Sequence, residues 1–266
     1  MIKKSKSKLY YKGLDIVLPK KFVCLPLAMR QRKNLFLYFD YEREFGGHKT
    51  DIADKHIFEL LKMLTIYKIK ATWFTVGKIF SQYPKSVHEL ISHGHELASH
   101  TYYHTAPYHY NSKQLQRDFD KIDREAPVDI KGFHSPNGKW SFSLLSLLNR
   151  YNYKYDVLLA KHRKNLVPFR HTWPGINKTF RLYTVGDDWG LYQKETKSEE
   201  AFHYFKNLYN QIEKGDVAGI GAHPWVLFSS SNILKGYYNF LRYLSAQNDL
   251  NVNTALYFIN YLIKNK

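Results

Sequence analysis

The chain reads as an α/β protein built on a largely parallel sheet, and three observations predict that class. Strand-like and helix-like segments alternate about seven times after residue 34, several strands are apolar along their whole length, and reactive side chains recur at strand ends. A strand apolar on both faces belongs in a sheet covered by helices on both sides. If such a sheet closes into a barrel, all its carboxyl ends meet on one rim, where barrels of this kind carry their chemistry.

The length of 266 residues and a hydrophobic content of 44% fit one large domain. Residues 1–33 read as a basic N-terminal extension and residues 34–266 as a single barrel domain. Within the extension, short extended pieces are expected at Leu14 to Leu18 and Phe22 to Leu27, bounded by Pro19 and Pro26. From Asn34 the pattern changes. Leu35 to Phe39, LFLYF, is a buried strand that runs into Asp40-Tyr41-Glu42 and a Gly46-Gly47 loop. Thr50 to Tyr67 is an amphipathic helix with Ile52, Ile57, Leu60, Leu61 and Leu64 on one face. Lys70 to Val76 is the second strand, and Gly77 turns it into a helix running through Pro84 to Ser92.

Glu96 to Ser99 is the third strand, and it opens into the stretch that most shapes the reading, His100-Thr101-Tyr102-Tyr103-His104. Histidines four apart would share one side of a tight helical turn. Ser112 to Arg124 follows as a helix, then a short strand at Lys131 to His134, a Ser135-Pro136-Asn137-Gly138 turn and a helix at Ser141 to Tyr151. Tyr153 to Leu159 precedes a long basic loop through Pro168 and Pro174. Arg181 to Val185 is a strand ending in Gly186-Asp187-Asp188-Trp189, Glu199 to Glu213 a helix, and Val217 to Ala222 a strand ending in His223-Pro224-Trp225. Helices at Ser231 to Gln247 and Asn253 to Ile263 close the chain.

The charge balance of 40 Lys and Arg against 23 Asp and Glu, a net +17, favours polyanionic partners or a solvated basic exterior. No helix-turn-helix, zinc-finger or RNA-recognition signature accompanies it, so no nucleic acid is expected. An anionic membrane surface or a phosphate-bearing substrate would use the same charge. Cys24 is the sole cysteine, which excludes an intramolecular disulfide and any cysteine-based zinc site. The N-terminus lacks the apolar core of a secretory signal, so the expected location is cytoplasmic, peripheral to the inner membrane face.

Asp40, Glu42, His100, His104, His134, Asp187, Asp188 and His223 all follow predicted strands, and in a barrel they would meet. Two imidazoles and a carboxylate form a familiar zinc set that leaves a position for water. Spacing alone is weak evidence, since a chain with 13 histidines produces H-x-x-x-H by chance.

With these motifs in order, the chain from about Leu35 onward resembles the polysaccharide deacetylases, the NodB-homology group also called carbohydrate esterase family 4. Phe39-Asp40-Tyr41-Glu42 is similar to the D-x-E form found in the branch with allantoinase-like enzymes and aminosugar deacetylases and deformylases. The resemblance implies a distorted (β/α)7 TIM-like barrel, Zn²⁺ or another divalent metal, and hydrolysis of an N-acetyl or N-formyl group on an aminosugar. The sugar would belong to a polysaccharide or be lipid-linked. It also implies Asp40 as general base, Glu42, His100 and His104 as metal ligands, and His223 as general acid. One carboxylate among Asp187, Asp188 and Asp156 would support His223, the choice being open, and Asp188 stands among the candidate catalytic residues with Asp40, His134 and His223. Gly132-Phe133-His134-Ser135-Pro136 matches the third motif with one departure: His134 stands where the family usually has the Arg that pairs with the base. Pro136, Trp189 and Trp225 are candidate substrate contacts, and a backbone N–H near Tyr102 or Tyr103 a candidate oxyanion donor. Two rival readings are a non-catalytic glycan-binding relative and a basic protein that binds nucleic acid or anionic membrane.

Overall fold

The computed structural model describes residues 18–47, 50, 52–105, 112–160 and 163–265. The predicted piece at Leu14 to Leu18 lies outside them except for Leu18.

In chain order, β1 (Lys20–Phe22) and the one-turn α1 (Leu27–Arg30) precede β2 (Lys33–Tyr41). Next come α2 (Asp54–Ile66), β3 (Thr72–Thr75), α3 (Lys78–Gln82), α4 (Pro84–Ser92) and β4 (Glu96–Ser99). They are followed by α5 (Ser112–Glu125), β5 (Gly132–His134), α6 (Phe142–Arg150) and β6 (Tyr155–Leu159). The last part contains β7 (Phe169–His171), β8 (Phe180–Gly186), α7 (Ser198–Tyr209) and β9 (Val217–Ala222). It ends with α8 (Pro224–Leu227), α9 (Ser231–Ser245), β10 (Leu250–Val252) and α10 (Ala255–Lys264).

Strands β2, β3, β4, β5, β6, β8 and β9 pair in parallel, and β9 returns to β2, so seven strands close a barrel surrounded by helices. Both faces of β2 are covered, which is why its run is apolar throughout. Phe36 and Tyr38 join an inner cluster with Phe74, Tyr155, Val157 and Leu182, while Leu35, Leu37 and Phe39 join the layer under the helices. Each such side chain, fully buried, contributes roughly 1.5–3 kcal/mol of transfer free energy. The amino end of the barrel is stoppered by α10, whose Ala255, Phe258, Ile259 and Leu262 belong to the inner cluster.

The structure differs from the expected elements in four places. The described part of the N-terminal extension is built onto the barrel: β1 pairs antiparallel with β7, and Leu25 and Met29 enter the inner cluster. That β7 lies inside the segment expected to be a loop. The helix expected to run through Pro84 is two helices, broken at Tyr83 (φ −131°, ψ 53°), because proline has no N–H to continue the ladder and sits at the start of α4. Finally, β10 pairs with the first half of β2, on the edge whose second half is taken by β3.

Candidate active site at the carboxyl mouth of the barrel

Parallel register brings the candidate residues together. Asp40 sits opposite Phe74 at the end of β2, Phe39 opposite Ala222 of β9, and Ser99 opposite Phe133 of β5. Glu42, His100 and His223 each stand just past the strand that carries them, and His134 closes β5. Together they floor a cavity of about 800 Å³ that is also lined by His104, Asp187, Trp189 and Trp225.

The turn carrying the two histidines is not helical, contrary to the spacing argument. Thr101 and His104 both take left-handed backbone angles, φ 65° and 58°. The imidazoles still share one side, with ring centroids 5.1 Å apart. The turn is held from behind: Gly77 N–H donates to the Thr101 carbonyl at 2.9 Å, and Tyr102 N–H donates to Asp118 Oδ2 at 2.8 Å. Tyr102 N–H is therefore committed and does not serve as an oxyanion donor. A Cβ at position 77 would lie 2.6 Å from the Tyr102 ring, so the close approach needs glycine. The supporting roles of Gly77 and Asp118 are absent from the sequence reading, since neither stands in a strand-end motif.

Glu42, His100 and His104 offer ligand atoms that all lie within 4.8 Å of one another. Glu42 Oε1 is 2.9 Å from His104 Nε2 and 3.4 Å from His100 Nε2. The protonation pattern fits a cation. His100 Nδ1 lies 2.8 Å from the His134 carbonyl, which can only accept, so this nitrogen carries the proton. Burial lowers the His100 pKa, and Nε2 is the nitrogen turned toward the Glu42 carboxylate. Burial pushes Glu42 up, but hydrogen bonds from His100 and His104 outweigh it and hold the carboxyl well below its usual range. Trp225 Nε1 donates to the other Glu42 oxygen at 3.1 Å, so this residue, expected to meet substrate, also fixes a carboxylate. An imidazole oriented by a carbonyl and a carboxylate oriented by an indole are the kind of supports that surround bound metals.

Beside this set, Asp40 Oδ1 accepts from His134 Nδ1 at 2.9 Å. Burial raises the Asp40 pKa, and the charges of His134 and His100 reverse that to a net lowering. Burial lowers His134, and Asp40 reverses that to a net rise. A histidine thus meets the carboxylate through one donor, without the two-pronged fork of an arginine. His223 Nε2 faces Asp40 Oδ2 at 3.7 Å and Glu42 Oε1 at 3.8 Å. Among the three acidic candidates, Asp188 is the one that holds His223: Oδ1 lies 2.6 Å from Nδ1, and Oδ2 accepts the His223 backbone N–H at 2.8 Å. Burial would lower His223, but Asp188 outweighs it and keeps the imidazole protonated well above its ordinary range. Asp187 instead caps the next turn through Trp189 N–H at 2.9 Å. Asp156 pairs with Arg181 at 2.6 Å. Pro136 is buried, and the residues after it, Asn137, Gly138 and Lys139, line the cavity in its place.

The fold and site define an α/β barrel with a carboxylate and imidazole cluster at its carboxyl mouth. Residues 29–155 match the model of the polysaccharide deacetylase family. The matched stretch contains Asp40, Glu42, His100, His104 and His134, whereas Asp188 and His223 lie beyond it. The chain is 29% identical over 174 residues to a peptidoglycan deacetylase of Helicobacter pylori, an alignment covering 63% of this chain and 52% of that relative. It thus spans about half the length of the curated relative it matches. A Mycobacterium smegmatis structure assigned to the polysaccharide deacetylases superposes with a TM-score of 0.76 at 17% identity, covering 93% of this chain and 95% of the other. The Puue allantoinase structure superposes with a TM-score of 0.72 at 16% identity, over 91% and 93% of the two chains. These last two likenesses establish the barrel alone.

Proposed function

We propose that the protein is a metal-dependent hydrolase that removes an N-acyl group, acetyl or formyl, from an aminosugar of a polysaccharide or a lipid-linked sugar. The observation that carries the reading is the convergence of Glu42, His100 and His104 within 4.8 Å, with Asp40 and His223 on the same floor. Glu42, His100 and His104 would hold the divalent cation, and their mixed nitrogen and oxygen donors suit zinc. A cation there supplies Lewis acidity toward an amide carbonyl and toward water.

The chain's own residues supply the proton transfers. Asp40, ionised at neutral pH and aimed by His134, takes the proton of the attacking water. The C–N bond then breaks, and His223 Nε2 gives its proton to the departing amine. Asp188 holds His223 with Nδ1 bound and Nε2 turned inward. The products are a carboxylic acid and a free amino sugar.

The missing arginine is what favours the glycan-binding alternative. The His134 contact with Asp40 weakens it, because the carboxylate keeps a charged partner. The test is acetate or formate release from N-acylated aminosugar oligomers by zinc-loaded protein, with metal content measured in parallel. Wild type should bind one zinc and turn over, and His100→Ala should lose both. Full activity in that variant would defeat the assignment.

A further inference from the structure

One basic side chain in the cavity is left without a role. The chain has 40 Lys and Arg, yet among the described residues lining the cavity Lys139 is the single one. It stands on the loop between β5 and α6, whose backbone is tightly specified. Asn137 and Gly138 are consecutive left-handed residues, φ 57° and 58°. Gly138 N–H donates to the Ser135 carbonyl at 2.8 Å, and Ser135 Oγ donates to the carbonyl of Lys139 itself. The next residue, Trp140, is buried with its ring 4.9 Å from the Arg181 guanidinium, which in turn pairs with Asp156. The backbone of Lys139 is thus pinned on both sides.

The ammonium itself forms no ion pair with a carboxylate of the described residues. Asn137, at the tip of the same loop, lines the cavity beside it. Asp187 also lines the cavity and would repel an anion on its own side, so a negative ligand would sit against the loop. At about 800 Å³ the cavity lies high in the range of roughly 300–1,000 Å³ typical of ligand sites, with room for far more than an acyl group.

We propose that Lys139 and Asn137 form a subsite for an anionic substituent, phosphate or carboxylate, on the aminosugar whose N-acyl group meets Asp40 and His223. This rests on the deacylase reading above. Lysine acts on such groups as a point charge, with the asparagine amide adding a directional donor. A half-exposed ammonium of this kind should shift kcat/KM by about tenfold and be weakened by salt.

The experiment compares acetate release by zinc-loaded protein from N-acetylglucosamine, its 1-phosphate and its 3-O-lactyl carboxylic ether, at low and high salt. Wild type should favour a charged sugar by about tenfold at low salt and by less at high salt. The favoured probe distinguishes phosphate from carboxylate. Lys139→Gln should bring the ratio of charged to neutral substrate close to one, and Lys139→Arg should retain most of it. A wild-type enzyme with no charge preference overturns the subsite while leaving the deacylase reading standing, as does an equal loss on all three sugars in Lys139→Gln. Release from none of the three overturns the deacylase reading and the subsite with it.

Discussion

The two ends of the barrel both bury carboxyl groups, and they treat them in opposite ways. At the carboxyl mouth, Asp40 and Glu42 are ringed by His100, His104, His134 and His223, whose charges and hydrogen bonds overcome burial and hold both acids below their usual range. At the amino end, Glu96 opens β4 with no cation against it among the described residues. Its partners are the Tyr155 hydroxyl at 2.5 Å, the Thr72 hydroxyl at 2.9 Å and the Leu256 N–H at 2.9 Å, and burial pushes its pKa up to about 7. Burial alone thus does not decide what a carboxylate is for. Cationic neighbours leave it charged and available for chemistry; neutral donors make it a latch, here between β4 and the helix that stoppers the barrel.

The contrast can be broken most severely at the mouth. Removing the metal with a chelator, or changing Glu42 to Ala, should abolish N-acyl hydrolysis, and added zinc should restore it only to the wild type. Next in size, Asp40→Asn and His223→Asn should each lower kcat by about 10²- to 10⁴-fold while metal content stays at wild-type level. Loss of zinc in either variant would show that the residue holds the metal instead of moving protons. A smaller effect is expected at Trp225→Phe, which removes the donor to Glu42 and should weaken zinc affinity by about 10- to 100-fold in a competition assay.

The smallest effect lies at the other end and concerns stability. The folded pKa of Glu96, about 7, lies above its ordinary value of 4.5, so the folded state binds the extra proton between these values. The contribution is fully present below 4.5 and is lost as pH rises through 7, on the order of 3 kcal/mol at most. Denaturation midpoints across this range should therefore show a Glu96-dependent decline that Glu96→Gln flattens. Parallel profiles for the two proteins would rule out the latch.

Much of the site is legible in the sequence because parallel strands covered on both faces are apolar until they end, so the first charged residue after each run marks the mouth. Asp40, His134 and His223 can be placed in this way. What stays hidden has physical reasons. The three-residue strands Lys20–Phe22 and Phe169–His171 are too short and too basic to show a period. The outward direction of Asp156 cannot be read, since strand parity is invisible when both faces are apolar. Its neighbours Tyr155 and Val157 point into the barrel, and Asp156 meets Arg181 on the other side of the wall. The choice of Asp188 over Asp187 depends on a turn that sends adjacent carboxylates to different partners. The left-handed angle at Thr101 leaves no composition signal, because a β-branched residue rarely adopts it.

Ring closure between β9 and β2 has a consequence for how the molecule is made. Asn34 to Phe39 meet Val217 to Ala222, so a chain emerging from the ribosome carries a bare β2 edge until more than two hundred residues have been synthesised. Leu256 reaches Glu96 later still. Until α10 docks, Glu96 lacks its Leu256 donor and the inner cluster lacks Phe258 and Ile259, so the floor of the barrel is the last part to be sealed.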